Sequence, residues 1–282
     1  MVKIISDSTC DLTKELLEKF DISILPLHVM LGEQDLLDGV TVTPDDIYKW
    51  ADENKTTPKT SAPSIEDAID ILKPYVDNGD EVIYFSISKE MSTSINVINL
   101  AVDELEAEDK VFVIDSANLS TGVGHLVLEA ATMAKEGMAA KDIAAKIEEL
   151  KPRVRASFVV DTLTYLHRGG RCSSVAALAG GVLKLHPKIV VEDGKMSATK
   201  KYRGKMDSVI LSYAKDMEED YKNAKTDRVF ITHSGCDDKI IESVYSYIKE
   251  LGIFKEILIT RAGGVISSHC GYGTVGVLYI SN

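Results

Sequence analysis

The chain has 282 residues, of which 45% are hydrophobic and 27% charged, a composition typical of a globular protein with one large or two smaller domains. Its net charge of −12 and its pI of about 5.0 argue against a nucleic-acid-binding protein, which needs a clustered basic face, and against adsorption to anionic lipid. No apolar run reaches membrane-spanning length and the N-terminal run is too short for a signal peptide, so we predict a cytoplasmic protein without stable membrane insertion.

Short β-rich runs alternate with helical patterns through the first half of the chain. Strands are predicted at 2–6, 22–31, 82–88 and 111–116, and each is followed by a helix. Strand–helix alternation is the pattern of a mostly parallel sheet. We therefore predict an N-terminal α/β domain, residues 1–155, with helices on both faces of its sheet.

The helix starts in this part of the chain carry capping residues. Asp11 is expected to cap the first helix. Thr43 precedes the next helical pattern, with Pro44 at its first position, and Ser64 precedes the one after that. Because an aspartate follows three residues after each of Thr43 and Ser64, we predict a capping box at both helix starts.

The second half of the chain has a different order of elements. After a strand at 156–162 and a small-residue helix at 173–184, an Asp-Gly pair at 193–194 separates two alternating runs and predicts a β-hairpin. A long helix at 205–221 follows, and three more strands complete the chain, with a helix after the first of them. A hairpin among strand–helix units requires mixed pairing. We therefore predict a second α/β domain, residues 156–282, whose sheet is mixed or antiparallel.

The common enzyme signatures are missing or out of context. Residues 271–276 read GYGTVG and match G-x-G-x-x-G, but no strand–turn–helix unit surrounds them, so a tight turn before the last strand is favoured over a dinucleotide site. The sequence has neither a phosphate-binding G-x-x-x-x-G-K-[ST] loop nor a G-x-S-x-G nucleophile elbow. His233 and Cys236 alone do not make a metal site, and the four dispersed cysteines are expected to be reduced thiols. We predict no metal and no cofactor.

Hydroxyl side chains concentrate next to predicted strands and helix starts. The segments 6–12 (SDSTCDL) and 86–96 (SISKEMSTSIN) each follow a strand, and 56–64 (TTPKTSAPS) leads into a helix. Such turns lie at the carboxyl edge of a parallel sheet, where ligands bind and helix N-termini suit anions. Hydroxyls and backbone N–H groups can satisfy one carboxylate, whereas a polyphosphate usually recruits Lys, Arg or Mg²⁺. The alternative for Ser92, that it only caps its own helix, fits the sequence equally well.

Three further segments combine basic side chains with turn residues. HRGGRCSS (167–174) places Arg168 and Arg171 around two glycines, either as an anion nest or as a turn with solvated charges. KKYRGK (200–205) is the most basic run in this acidic chain, and a solvated hairpin end is its simplest explanation. His269 lies beside a Gly-rich turn near the C-terminus, where a single histidine is more often structural than functional.

In combination, these segments resemble the DegV family of bacterial fatty-acid-binding proteins. The family's order and approximate spacing are matched along the whole chain by SDSTCDL, KTSAPS, SISKEMSTS, VIDS, LHRGGRCSS, PKIVVEDGK, KYRGK and SHCGYGTVGV. The resemblance implies two α/β domains that hold one long-chain fatty acid, such as palmitate, in a tunnel between them. It also implies a role in lipid transport or fatty-acid metabolism. Some members of the family present the fatty acid to a separate kinase for acyl-phosphate formation.

The resemblance also implies roles for individual positions. The hydroxyls and amides that hold the carboxylate in the family correspond to Thr60, Ser61, Ser92 and Thr93. Basic residues on the head-group and partner side correspond to Arg171, Arg203 and His269. The chain departs from the family pattern at three positions. It has Ala62 where the family has glutamine, Thr93 where the family has glycine, and Tyr272 where the family has proline.

Two other functions stay open from the sequence. A stand-alone phosphotransferase or hydrolase would use His269 with Arg171 or Arg203, but no phosphate loop, nucleophile elbow or metal cluster supports it. A pure interaction protein would rest on composition alone. The sequence therefore favours a non-enzymatic carrier whose partners are a long-chain fatty acid and, in some relatives, a fatty-acid kinase.

Overall fold

The computed structural model describes residues 1–172 and 185–282; the helix predicted at 173–184 lies outside these described residues. Their strands are β1 (Val2–Asp7), β2 (Ile22–Leu25), β3 (His28–Leu31), β4 (Gln34–Leu37), β5 (Lys59–Ser61), β6 (Glu81–Ser86), β7 (Val111–Asp115), β8 (Val154–Val159), β9 (Leu185–Glu192), β10 (Lys195–Arg203), β11 (Arg228–His233), β12 (Glu256–Arg261) and β13 (Val275–Ile280). Their α-helices are α1 (Lys14–Phe20), α2 (Pro44–Asn54), α3 (Ile65–Asp77), α4 (Ser94–Glu104), α5 (Thr121–Lys135), α6 (Ala140–Leu150), α7 (Thr164–Gly169), α8 (Met206–Lys215), α9 (Glu218–Tyr221), α10 (Asp238–Leu251) and α11 (Gly264–Cys270).

The N-terminal half, which we define as residues 1–153, is built on four parallel strands in the order β2–β1–β6–β7. Ile5 and Tyr84 point to one face of this sheet, where α3 and α4 cover them. Ile4 and Phe85 point to the opposite face, where α5 and α6 pack. The predicted parallel sheet with helices on both faces is confirmed.

The C-terminal half, residues 154–282, is built on a six-stranded sheet in the order β10–β9–β8–β13–β11–β12. Only β11 and β12 pair in parallel, and every other neighbouring pair is antiparallel. The predicted hairpin is present, and both turn residues have the left-handed backbone that Asp-Gly turns adopt, with φ of 49° at Asp193 and 76° at Gly194. The predicted mixed sheet is thus confirmed, and the boundary near residue 155 stays a proposal.

Helix α5 lies between the two sheets and is buried along most of its length. Its apolar side chains, such as Leu126, belong to one continuous cluster with Phe85 of the first sheet and Phe158 and Phe230 of the second. At Gly124 an added Cβ would lie 2.8 Å from the carbonyl oxygen of Cys10, so the glycine permits close approach of the helix to the N-terminal half. The two halves therefore share one of the clusters of the hydrophobic core.

The strand predicted at 22–31 is wrong as one element. It divides into β2, which belongs to the parallel sheet, and β3, which pairs with β4 and β5 in a small antiparallel sheet. Pro26 lies at the break, and because proline has no N–H group it cannot continue the hydrogen-bond ladder. Thr60, in β5, pairs with Val29 of β3 in this small sheet.

Two of the three predicted helix caps are confirmed and one is wrong. Both capping boxes are confirmed, at Thr43 and at Ser64. The prediction for Asp11 is wrong, because Thr13 caps α1 while Asp11, with a φ of 50°, directs its carboxylate to the C-terminal half. The long helix predicted at 205–221 is in fact two helices, α8 and α9, with a break at Asp216 and Met217.

Within residues 1–172 and 185–282, none of the helices combines the length and the apolar character that crossing a membrane requires. None of the four cysteines forms a disulfide in this part of the structure. The GYGTVG segment is a turn that leads into β13, with φ of 75° at Gly271 and 85° at Gly273.

Candidate functional site

A cavity of about 480 Å³ lies between the N-terminal and C-terminal halves. Its described wall contains six of the seven residues predicted for the site: Thr60, Ser61, Ser92, Thr93, Arg171 and His269. The other described lining residues are Leu27, Ala62, Ile87, Lys89, Glu90, Met91, Leu119, Met196, Val265, Ile266 and Cys270. Hydroxyl and basic groups thus share one cavity with a mostly apolar wall.

Thr60 and His269 connect the two halves at this cavity. Thr60 is placed by its strand β5, which ends just before the Ser64 cap of α3. His269 is in the last turn of α11, in the C-terminal half, and also lines the cavity. The hydroxyl oxygen Oγ1 of Thr60 lies 2.8 Å from Nε2 of His269, and the two groups share a hydrogen bond.

The His269 ring is held in a tight environment. Its Nδ1 atom is buried and has no hydrogen-bond partner among the described residues. An added Cβ at Gly169 would lie 2.4 Å from this Nδ1, so only glycine allows the end of α7 to approach the ring. Burial and the neighbouring Arg171 lower the pKa of His269 to about 4, and the ring is therefore neutral at pH 7.

The hydroxyls between β6 and α4 lie at the carboxyl end of a parallel strand, as predicted. The Oγ of Ser92 accepts a hydrogen bond from the backbone N–H of Ser94 at 3.2 Å and lies 2.8 Å from the Ser94 hydroxyl. Ser92 therefore holds the start of α4 and lines the cavity at the same time. The side chains of Ser61 and Thr93 line the cavity too, and each of these two residues is exposed.

The two arginines predicted for the site lie in different places. Arg171 lines the cavity, and its guanidinium donates hydrogen bonds to the carbonyl oxygens of Gly169 at 2.6 Å and Met91 at 3.5 Å. These contacts link the segment after α7 to the loop that carries Ser92. Arg203 is the last residue of β10, is exposed, and is not among the described residues that line the cavity.

The apolar part of the cavity wall was not predicted from the sequence. Leu27 follows the break at Pro26, Met196 is near the start of β10, and Val265 and Ile266 belong to α11. No local pattern distinguishes such side chains from ordinary core residues. A separate void of about 20 Å³ shares Leu119, Ile266 and Cys270 with the cavity and is also lined by residues of the second sheet.

A larger groove of about 660 Å³ is built differently. Its described lining carries both signs of charge, with Lys151, Arg155 and Lys188 near Glu192, Asp193 and Asp220. It contains none of the residues that were predicted for the site. Elsewhere in the described chain, no group of three or more His, Cys, Asp or Glu side chains is arranged to hold a metal ion.

Comparison with known sequences identifies relatives along the full length. The DegV family model matches residues 1–282. A DegV domain-containing protein of Clostridium acetobutylicum is 32% identical over 281 residues, which cover 99% of this chain and 98% of that protein. One from Clostridium perfringens is 36% identical over 203 residues, which are 72% of each chain.

Solved structures with the same fold are also known. A DegV family protein of Thermus thermophilus, described by its fatty-acid binding, has a TM-score of 0.91 at 29% identity and covers 100% of this chain and 99% of its own. A stearic acid-binding protein of Eubacterium ventriosum has a TM-score of 0.84 at 31% identity, with 100% and 98% coverage. DegV of Bacillus subtilis, described as a fatty acid binding protein, has a TM-score of 0.86 at 25% identity, with 100% and 99% coverage.

Proposed function

The chain belongs to the DegV family, and from this premise we propose that it binds a long-chain fatty acid in the cavity between its halves. The observation that carries the proposal is the asymmetry of the cavity. Thr60, Ser61, Ser92 and Thr93 supply hydroxyls, while most of the remaining wall is apolar. The ligand class is supported by the relatives from Thermus thermophilus and Eubacterium ventriosum, which are described as fatty-acid-binding and stearic acid-binding.

The size and polarity of the cavity suit such a ligand. A volume of about 480 Å³ lies within the range of about 300–1,000 Å³ that is usual for small-molecule sites. Burial of an alkyl chain contributes about 0.8 kcal/mol per methylene, so the tail supplies most of the attraction. Only part of this gain becomes affinity, because binding costs rigid-body and chain entropy.

The bond between His269 and Thr60 gives the polar end a preference for anions. A carboxylate accepts hydrogen bonds and donates none. When Nε2 of neutral His269 carries the proton and donates to Oγ1 of Thr60, the Thr60 hydroxyl proton is available for the ligand. The carboxylate therefore favours the tautomer in which Thr60 is a donor toward the cavity.

We propose a carrier role rather than stand-alone catalysis. The neutral His269 is engaged by Thr60, and Arg171 donates to two backbone carbonyls, so neither group is arranged around an obvious nucleophile. Arg203 is exposed at the end of β10 and away from the cavity lining, a position that suits contact with a partner such as a fatty-acid kinase. Lipid transport or fatty-acid metabolism is the setting that follows from this role.

The direct test identifies what the protein carries. The full chain is purified from cells without lipid supplementation, and an organic extract is analysed by mass spectrometry. We expect a fatty acid in an amount close to one per chain, and the delipidated protein should rebind hexadecanoic acid. An extract that contains only nucleotides or sugars, together with failure to rebind the fatty acid, would contradict the proposal.

A further inference from the structure

Helix α11 starts at the contact between the two halves, and its first backbone N–H groups point into the N-terminal half. The N–H of Gly263 donates to Oδ1 of Asp11 at 2.8 Å. The N–H groups of Gly264 and Val265 donate to the two carboxylate oxygens of Asp38, at 2.5 and 3.2 Å. Three successive backbone donors of the C-terminal half are thus held by two carboxyl groups of the N-terminal half.

The two carboxyl groups are themselves fixed in place. The hydroxyl of Ser120 donates to Oδ2 of Asp11 at 2.5 Å, and the hydroxyl of Ser8 donates to Oδ2 of Asp38 at 2.8 Å. Asp11 is 6% exposed and Asp38 is 3% exposed. Water therefore has little access to the bonds between the carboxyl groups and α11, and a lost bond cannot be replaced by solvation.

The backbone at the start of α11 fits closely against these side chains. An added Cβ at Gly264 would lie 2.8 Å from Oδ1 of Asp38 and 2.8 Å from Cδ1 of Ile47. Only glycine therefore allows the backbone to reach the carboxyl group. Ile47 belongs to α2, so the start of α11 is confined by the N-terminal half from two directions.

The position of the first turn of α11 determines where the cavity-lining residues of this helix lie. Helix α11 has seven residues, and four of them line the cavity: Val265, Ile266, His269 and Cys270. A short rigid helix transmits a shift of its first turn directly to its last turn. We propose that Asp11 and Asp38 are positioning residues for head-group binding, because they fix α11 against the N-terminal half and thereby keep His269 within hydrogen-bond reach of Thr60.

This inference rests on the proposed function for its ligand, but its geometric part is independent of any ligand. Neither carboxyl group lines the cavity, so neither touches the ligand. Loss of their contacts is therefore expected to affect the carboxylate end of the ligand more than the apolar tail. A residue that only stabilised the fold would affect both ends equally.

The test compares two ligands with the same tail and different heads. Delipidated full-length protein is titrated with hexadecanoic acid and with hexadecan-1-ol. In Asp38→Asn one carboxylate oxygen becomes an NH₂ group that cannot accept an N–H of α11. We expect the affinity for the acid to fall at least tenfold and the affinity for the alcohol to fall less than threefold. Equal losses for the two ligands, or no loss for the acid, would overturn the inference.

Glu129→Gln is the matched control. Glu129 of α5 forms ion pairs with Lys225 at 2.5 Å and with Arg228 at 2.9 Å, so it also connects the two halves, but both of these partners lie outside α11. We expect this variant to change the affinities for acid and alcohol by the same factor. A selective loss of acid binding in Glu129→Gln would show that any weakened contact between the halves suffices, which contradicts a specific role for Asp11 and Asp38.

A spectroscopic measurement separates this inference from the proposed function. The ¹⁵N chemical shifts of the His269 ring are recorded in ligand-free protein, where they report the hydrogen bond of Nε2. We expect this signal to change in Asp38→Asn, and in Asp11→Ala if the first variant does not fold, and to stay unchanged in Glu129→Gln. If wild-type protein binds no fatty acid, the proposed function fails, whereas an unchanged His269 signal in both aspartate variants refutes the positioning role by itself.

Discussion

The two walls of the cavity are built in opposite ways. The N-terminal wall presents hydroxyls on short loops and an edge strand, and two of the residues involved, Ser61 and Thr93, are exposed. The C-terminal wall is the buried helix α11, whose first N–H groups are held by carboxyl groups from across the contact. Under the proposed function, the first wall supplies contacts to the ligand and the second supplies their geometry. The bond between Thr60 and His269 is where the two walls meet.

Replacement of Thr60 by valine should give the largest loss of fatty-acid affinity, because it removes the hydrogen bond that joins the two walls. Valine keeps the shape of threonine but cannot donate to a carboxylate, and it leaves Nε2 of His269 without its partner. Hydrogen bonds to charged groups contribute about 1.5–3 kcal/mol, so we expect the affinity for hexadecanoic acid to fall roughly 10- to 150-fold. Titration of delipidated protein measures this change.

The control for this prediction is Thr57→Val, the same substitution three residues earlier. Thr57 is half-buried and is not part of the cavity lining. Its affinity should stay within about twofold of wild type, because a surface change away from special contacts is usually small. If Thr60→Val binds hexadecanoic acid as tightly as Thr57→Val does, Thr60 is not a contact and the assignment of the first wall fails.

A pH dependence of stability should report the carboxyl groups behind the second wall. Burial raises the pKa of Asp11 to about 8, and the neighbouring Asp38 and Asp7 add to this. Because the folded pKa is higher than the ordinary one, the folded state holds an extra proton, and stability is lost as the pH rises toward 8. The contribution of Asp11 to the free energy of unfolding should fall by about 1.5 kcal/mol between pH 6.5 and 8, because the slope of about 1.4 kcal/mol per pH unit declines to half at the folded pKa.

Other buried groups also titrate near this interval, so the comparison with a variant is needed. Burial lowers the pKa of His125 to about 3 and that of His269 to about 4, and their contribution to stability still grows until the unfolded histidines lose their protons, about one pH unit above 6.5. Burial also raises the pKa of Asp7 to about 6. Denaturant titrations at several pH values should show the slope in wild type and a shallower slope in Asp11→Asn, which cannot ionise. Parallel slopes in the two proteins would mean that Asp11 does not titrate in this range.

The smallest effect on binding is expected for Arg203→Ala, since Arg203 belongs to neither wall. Its affinity for hexadecanoic acid should stay within about twofold of wild type, as for other exposed side chains. Ser92→Ala provides the contrast, because Ser92 lines the cavity and should bind more weakly. In an assay with a cognate fatty-acid kinase, Arg203→Ala should impair transfer, and equal loss of binding in both variants would refute this division.

Local signals in the sequence predicted the elements that depend on neighbours along the chain. The capping boxes at Thr43 and Ser64 and the turn at 193–194 were predicted correctly, because their hydrogen bonds and backbone angles involve residues no more than a few positions apart. The strand at 22–31 was predicted as one element because both parts are apolar. Which sheet each part joins is decided by distant partners.

The site residues, too, divide into those that local sequence patterns indicated and those that depend on distant partners. The rule that ligands bind at the carboxyl edge of a parallel sheet led to Ser92, which does line the cavity; its role in binding stays a prediction. Thr60 reaches the cavity from the small antiparallel sheet instead, so that rule does not explain its position. Asp11 was predicted as a helix cap because it precedes a helical pattern. Its actual partner, Gly263, is 252 positions away and could not be found from neighbouring residues. No local pattern indicated a role for Asp38. Arg203 matched the family motif, yet the structure places it outside the described lining.

The burial of α5 between two sheets limits how the fatty acid of the proposed function would enter the cavity. A wide swing of one half away from the other would expose apolar side chains of that helix to water, because the helix contacts strands of both sheets and its apolar residues belong to a cluster that both halves share. Exposure of buried apolar surface opposes such a motion. Exchange of the cargo is therefore expected to proceed by small displacements of the surface segments near Ser61 and Thr93, while the central scaffold stays closed throughout the cycle.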